Sequence, residues 1–125
     1  VILCVDNEHS ILEGMQGLLS KWGASPLIAN NSETALEHLR KLGSNGGSYP
    51  SILLVDYHLD DDVTGIEVID ELREFAETRI PAIIVTADHS QDVREEIRNS
   101  GHALLHKPIK PAALRALMSR ILTRH

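Results

Sequence analysis

The sequence predicts an α/β domain: a doubly wound, five-stranded parallel sheet with helices on both faces. Short apolar runs that stop at polar residues occur four times. Residues 1–5 stop at Asp6 and Asn7, 52–55 at Asp56, 82–85 at Thr86, and 103–106 at Lys107 and Pro108. Uninterrupted runs of this length suit strands buried on both faces. Stretches of helical periodicity separate them, so strand and helix alternate along the chain. Open sheets of this kind place ligands beyond the carboxyl ends of their strands. With the strands parallel, that edge gathers Asp6, Asn7, Asp56, Thr86 and Lys107.

After Asn7, Ser10 with Glu13 three residues on reads as a capping box. Ile11, Leu12, Met15, Leu18, Leu19 and Trp22 then form the stripe of a first helix, ended by Gly23. Residues 26–29, opened by Pro26, are a weaker strand that suits a sheet edge. Asn31 and Ser32 are the candidate caps of a second helix, with Ala35, Leu36, Leu39 and Leu42 on one face. The polar, glycine-rich stretch 43–48 is a mobile surface connection rather than a domain boundary.

The run Ile52-Leu53-Leu54-Val55 is followed by Asp56, Tyr57, His58, Leu59 and three aspartates, Asp60, Asp61 and Asp62, which belong in a solvated loop. Thr64 and Glu67 form a second capping box, opening a helix with Ile66, Ile69, Leu72 and Phe75 inward. Ser90 caps a fourth helix anchored only by Val93 and Ile97, which makes it the least firmly held. Pro111 opens the last helix, with Leu114, Leu117, Met118, Ile121 and Leu122 as its apolar residues.

A chain of 125 residues is one domain, 1–125, with room for a single well-buried core. Its net charge of −6 and the lack of a Lys/Arg cluster argue against direct nucleic-acid binding. One cysteine, Cys4, cannot build a disulfide framework, which fits a reducing, cytoplasmic compartment. No apolar segment approaches a membrane span, so no membrane contact is expected of this domain. The chain opens inside a strand without an initiator Met and is read as a piece excised from something longer, whose parent is free to carry a membrane anchor.

The gathered edge has a chemistry. Asp6, Asn7 and Asp56 make an oxygen-rich pocket of the kind that holds Mg²⁺, which takes six oxygen ligands and keeps several waters. A carboxylate can serve as nucleophile and form an aspartyl phosphate. Lys107 and Thr86 would then offer donors to phosphoryl oxygens, where charge builds up in the transition state.

The blocks Val5-Asp6-Asn7-Glu8, Leu54-Val55-Asp56, Val85-Thr86-Ala87 and His106-Lys107-Pro108 resemble, in order, the motif blocks of response-regulator receiver domains, and Thr64-Gly65 resembles that family's turn into its third helix. The resemblance covers essentially the whole chain. It implies a flavodoxin-like (βα)5 fold with strand order 2-1-3-4-5. It implies that Asp56 is the phospho-acceptor, and that Asp6, Asn7, Asp56 and the backbone carbonyl of His58 surround Mg²⁺. Thr86 and Lys107 would bind the phosphoryl group, Ala87 would leave room for it, and the Lys107–Pro108 peptide would be cis. Such a module catalyses its own aspartyl phosphorylation and dephosphorylation. Its implied partners are a histidine kinase, or its own kinase core, and a histidine phosphotransfer protein. The missing start and the absence of an output domain point to the C-terminal receiver of a hybrid histidine kinase.

Three features depart from that pattern. Asn7 stands where a second acid is usual, the loop from Asp56 to Gly65 is one residue longer, and Leu104 stands where many receivers carry a switch aromatic. Two other functions remain open. One is a degenerate receiver that binds protein without being phosphorylated. The other is a cobalamin-binding domain, suggested by Asp56-Tyr57-His58, although Asp61 stands where its motif has glycine. His9, His58, His89 and His106 also fall near the same edge, where a transition-metal site is conceivable, against the default of surface histidines titrating near neutral pH.

Overall fold

The computed structural model describes residues 1–59 and 62–123. Ten elements alternate: β1 (Ile2–Val5), α1 (His9–Lys21), β2 (Pro26–Ala29), α2 (Ser32–Ser44), β3 (Ile52–Asp56), α3 (Gly65–Ala76), β4 (Ala82–Thr86), α4 (Gln91–Ser100), β5 (Ala103–His106) and α5 (Pro111–Leu122). All pairings between the five strands are parallel and the strand order is β2-β1-β3-β4-β5, as the resemblance implied.

The three inner strands are the longest apolar runs, and every residue in them is buried. Alternate side chains feed two cores. Leu3, Val5, Leu53, Val55 and Ile84 face α2, α3 and α4, where they meet Leu39, Val68, Ile69, Leu72 and Ile97. Ile2, Cys4, Ile52, Leu54 and Ile83 face α1 and α5 and meet Leu12, Leu19, Leu114 and Met118. Burial pushes the Cys4 thiol up to about 12, which leaves it an inert core residue. The edge strands β2 and β5 are only partly covered. Arg115 of α5 lies over the Trp22 ring at 5.4 Å, joining the two helices of the second face.

Asn31, Thr64 and Ser90 each cap their helix by accepting from the backbone amide three residues on. Pro111 occupies the first turn of α5. The box expected at Ser10 does not form. Glu8 is the N-cap of α1 and makes no side-chain cap, so the helix starts one residue before Ser10. The cause lies upstream, where the Glu8 amide donates to Asp6 Oδ1 at 2.9 Å and sets the turn. Helix α2 runs on through Gly43 and Ser44, which were expected in the loop. The inward stripe of α3 is also rotated from the expected one. Phe75 is 40% exposed, while Val68 and Ala76 are buried.

Candidate functional site

Register brings the site together. Val5 pairs with Val55, Asp56 with Val85, and Thr86 with His106, so the ends of β1, β3, β4 and β5 lie side by side. The ladder continues past them, with Asp6 N donating to Ala29 O, Tyr57 N to Val85 O and Lys107 N to Thr86 O. The Lys107–Pro108 peptide is cis. Lys107 Nζ lies 3.0 Å from Asp6 Oδ2, 3.3 Å from Glu8 Oε1 and 3.4 Å from Asp56 Oδ1.

Asp6, Asp56 and Thr86 are the buried polar residues of the described chain, with 5%, 6% and 1% of their surfaces exposed. Burial, and then repulsion from Asp6, push the Asp56 carboxyl up to about 6; Lys107 pulls the other way and Glu8 adds to the rise. Burial works to lower the Lys107 ammonium, but the Asp6 hydrogen bond and the charges of Asp56, Asp6 and Glu8 hold it above its ordinary value. Among the described residues Lys107 is the ionic partner of the Asp56 side chain, and it meets Oδ1.

Thr86 Oγ1 accepts from Asp88 N at 3.0 Å. Asp88 in turn accepts from Ser90 N at 2.8 Å and sits 2.9 Å from His58 Nε2. The Ser90 amide and the His58 ring together hold the Asp88 carboxyl down at about 2. Asn7 is exposed, and its side chain has no hydrogen bond among the described residues. Close under the site, Gly65 seats the turn into α3. Its amide donates to Tyr57 O at 2.7 Å, and a Cβ there would fall 2.4 Å from Asp56 O.

The sequence-predicted residues Asp6, Asp56 and Lys107 thus meet, and Thr86 lies beside them with its hydroxyl engaged by the next loop. Glu8 and Asp88 were not assigned roles from the sequence. Glu8 stood inside a motif block, but its pairing with Lys107 spans 99 positions and carries no local signal. The four histidines are divided rather than pooled. His9 pairs with Glu13, His58 with Asp88, and His89 stacks on His106 at 4.2 Å and 9°. With the histidines in separate pairs, the structure does not bring the four together as the ligand set of one transition metal. Asp60 and Asp61 lie outside the described residues, and Asp62 is exposed.

Mg²⁺ fits this donor set. It asks for only one or two carboxylates and otherwise for water and substrate oxygens, and Asp6 and Asp56 are hard oxygen donors that already hold one cation between them, the Lys107 ammonium.

Comparison with known proteins agrees with the geometry. A family model described as "Response regulator receiver domain" matches residues 2–119. Over 122 residues the chain is 33% identical to the transcriptional regulatory protein ZraR of Klebsiella oxytoca; the match covers 97% of this chain but only 26% of that protein. The fold superposes on a putative response regulator from Chloroflexus aurantiacus with a TM-score of 0.81 and 24% identity, covering 98% of this chain and 97% of that one. It superposes on the Vibrio cholerae chemotaxis protein CheY4 with a TM-score of 0.79 and 22% identity, covering 97% of each chain. The cobalamin reading gives way to this match. With nearly its whole length accounted for in one family, the chain belongs to the response regulator receiver domains.

Proposed function

We propose that this receiver domain takes a phosphoryl group from a phosphohistidine onto Asp56, assisted by Mg²⁺, and later releases it by hydrolysis. The observation that carries the reading is the Asp56 carboxylate itself: buried at the end of β3, held up at about 6, and 3.4 Å from the Lys107 ammonium. An ionised carboxylate destabilised in this way has reason to attack an electrophile.

An Asp56 oxygen bonds to phosphorus, the P–N bond of phosphohistidine breaks, and its electron pair leaves with the imidazole. The product is an acyl phosphate. Lys107 exchanges one of its three carboxylate contacts for a phosphoryl oxygen. Thr86 keeps its hydroxyl proton while accepting from Asp88 N, so it has a proton to donate once it turns. Asp6, Asn7, Asp56 and the His58 carbonyl are the groups that would hold Mg²⁺, which supplies positive charge to the phosphoryl oxygens.

Receiver domains interact with histidine kinases or phosphotransfer proteins, and a surface for such a partner adjoins the site. An open groove of 360 Å³ between α1 and the segment after Lys107 is lined by Ile11, Gly14, Met15, Leu18, Pro108 and Ile109. We assign to it a helix carrying the phosphohistidine, because Pro108 and Ile109 continue directly from Lys107.

Acetyl phosphate with Mg²⁺, followed by intact-mass measurement, tests the acceptor. One phosphoryl group should add to the wild type and none to Asp56→Asn. Absence of any addition to the wild type would favour the non-phosphorylated binding module. Gly14→Arg tests the groove, since a Cβ at Gly14 meets nothing within 4 Å and the fold should be kept. It should slow transfer from a phosphohistidine donor while leaving the acetyl phosphate reaction unchanged.

A further inference from the structure

We propose that Glu8 supplies the Mg²⁺ site with the carboxylate charge that Asn7 lacks. The inference rests on the Mg²⁺-assisted reading above and concerns how this chain completes the site.

Glu8 is the N-cap residue of α1, yet its side chain makes no cap, and the first turn of that helix holds no acidic residue. The carboxylate reaches instead across the mouth of the pocket to Lys107 Nζ, at 3.3 Å, on the same ammonium that Asp6 and Asp56 hold. The neighbouring Asn7 is exposed like Glu8, but it is neutral and its side chain has no hydrogen bond among the described residues.

Charge decides the matter. Asp6 and Asp56 bring two negative charges and Lys107 one positive, which leaves a single net negative charge to face a divalent cation. Glu8 makes it two, and the site becomes neutral when a divalent ion binds. Hard cations select for anionic oxygen, and affinity in such sites follows the number of charged ligands. Asp56 itself is more than nine-tenths buried, and its ionic partner Lys107 is shared with Asp6 and Glu8. Buried carboxylates that share one ammonium call for positive charge beyond what that ammonium gives.

The experiment is calorimetric titration of the domain with Mg²⁺ at fixed ionic strength, using wild type, Glu8→Gln, Glu13→Gln, and Glu8→Gln combined with Asn7→Asp. Glu8→Gln should weaken binding roughly fivefold, the size expected for one exposed charge close to a divalent ion. Adding Asn7→Asp should restore it. Glu13→Gln, one turn further along α1 and paired with His9, should change it less than about twofold. Unchanged affinity in Glu8→Gln, or an equal loss in Glu13→Gln, would overturn the proposal while leaving Mg²⁺ binding intact. A wild type that shows no binding heat and no protection from thermal unfolding would overturn the Mg²⁺ reading and this inference with it.

Discussion

Ionised Asp56 is a cost to the folded domain when no divalent cation balances it. Its carboxyl titrates near 6 in the fold and near 3.8 in an unfolded chain. Between these values the native state binds more protons, so this contribution to stability falls as pH rises. The penalty is complete above about pH 6 and gone below the unfolded value. In chelator, Asp56→Asn should therefore stabilise the domain by about 1–2 kcal/mol at pH 7.5, with the gain shrinking toward pH 4.5. Urea melts at the two pH values measure this. Lys107 keeps Asp6 and Glu8 in the variant, and destabilisation at both pH values would mean that Lys107 needs Asp56 more than burial penalises it. Asn7→Asp should act oppositely, costing under about 1 kcal/mol in chelator because the position is exposed, while tightening Mg²⁺. At this scale the sequence was informative where a residue ends an apolar run. Asp6, Asp56, Thr86 and Lys107 were legible because strand ends are legible, whereas Glu8 and the Asp88–His58 pair were not, since their partners lie across loops.

Element ends, more than element middles, decide how this site is built. Gly65 opens α3 against the backbone of Asp56. Gly65→Ala must push that backbone aside, so it should destabilise by about 2–3 kcal/mol and slow phosphorylation of Asp56. Chemical denaturation and the intact-mass assay read the two effects. Helix α4 is tied to the site differently. Tyr57, next to Asp56, donates its hydroxyl to Glu96 Oε1 at 2.9 Å, and Ile97 is the single fully buried apolar anchor of the helix. Leu104 has no ring to flip, so phosphorylation should shift mainly Thr86, Ala87 and α4. Amide shifts on adding beryllofluoride with Mg²⁺ map this, and changes confined to α1 would contradict it. Tyr57→Phe should lower hydrogen-exchange protection in α4, with a stability loss of about 1 kcal/mol. The caps of α2, α3 and α4 were readable from Asn31, Thr64 and Ser90. The start of α1 was not, because an Asp6 carboxylate outside the helix sets it. Nor was the face of α3, where a stripe through Val68 and Ala76 competes with one through Phe75.

At the scale of the molecule, one sheet divides two cores, and the alternation of strand and helix made that division predictable. Strand order was not readable from pattern alone, since parallel pairings among buried, uniformly apolar strands leave no local mark of neighbour. Leu39 and Leu114 are fully buried on opposite faces. Replacing each by Ala should cost about 2–4 kcal/mol, and the double variant should lose the sum to within about 0.5 kcal/mol. Trp22 fluorescence and far-ultraviolet circular dichroism should give one coincident transition, because the two cores share every strand.

The joining of Asp6, Asp56 and Lys107 across 101 positions of chain has a further consequence. None of the three meets another except through β1–β3, β3–β4 and β4–β5 pairing. Under the proposed chemistry, a misfolded or heat-damaged copy has carboxylates but no acceptor site, so it competes with intact copies for a phosphoryl donor no better than any other acidic polypeptide. Damage then silences the molecule rather than making it signal at random.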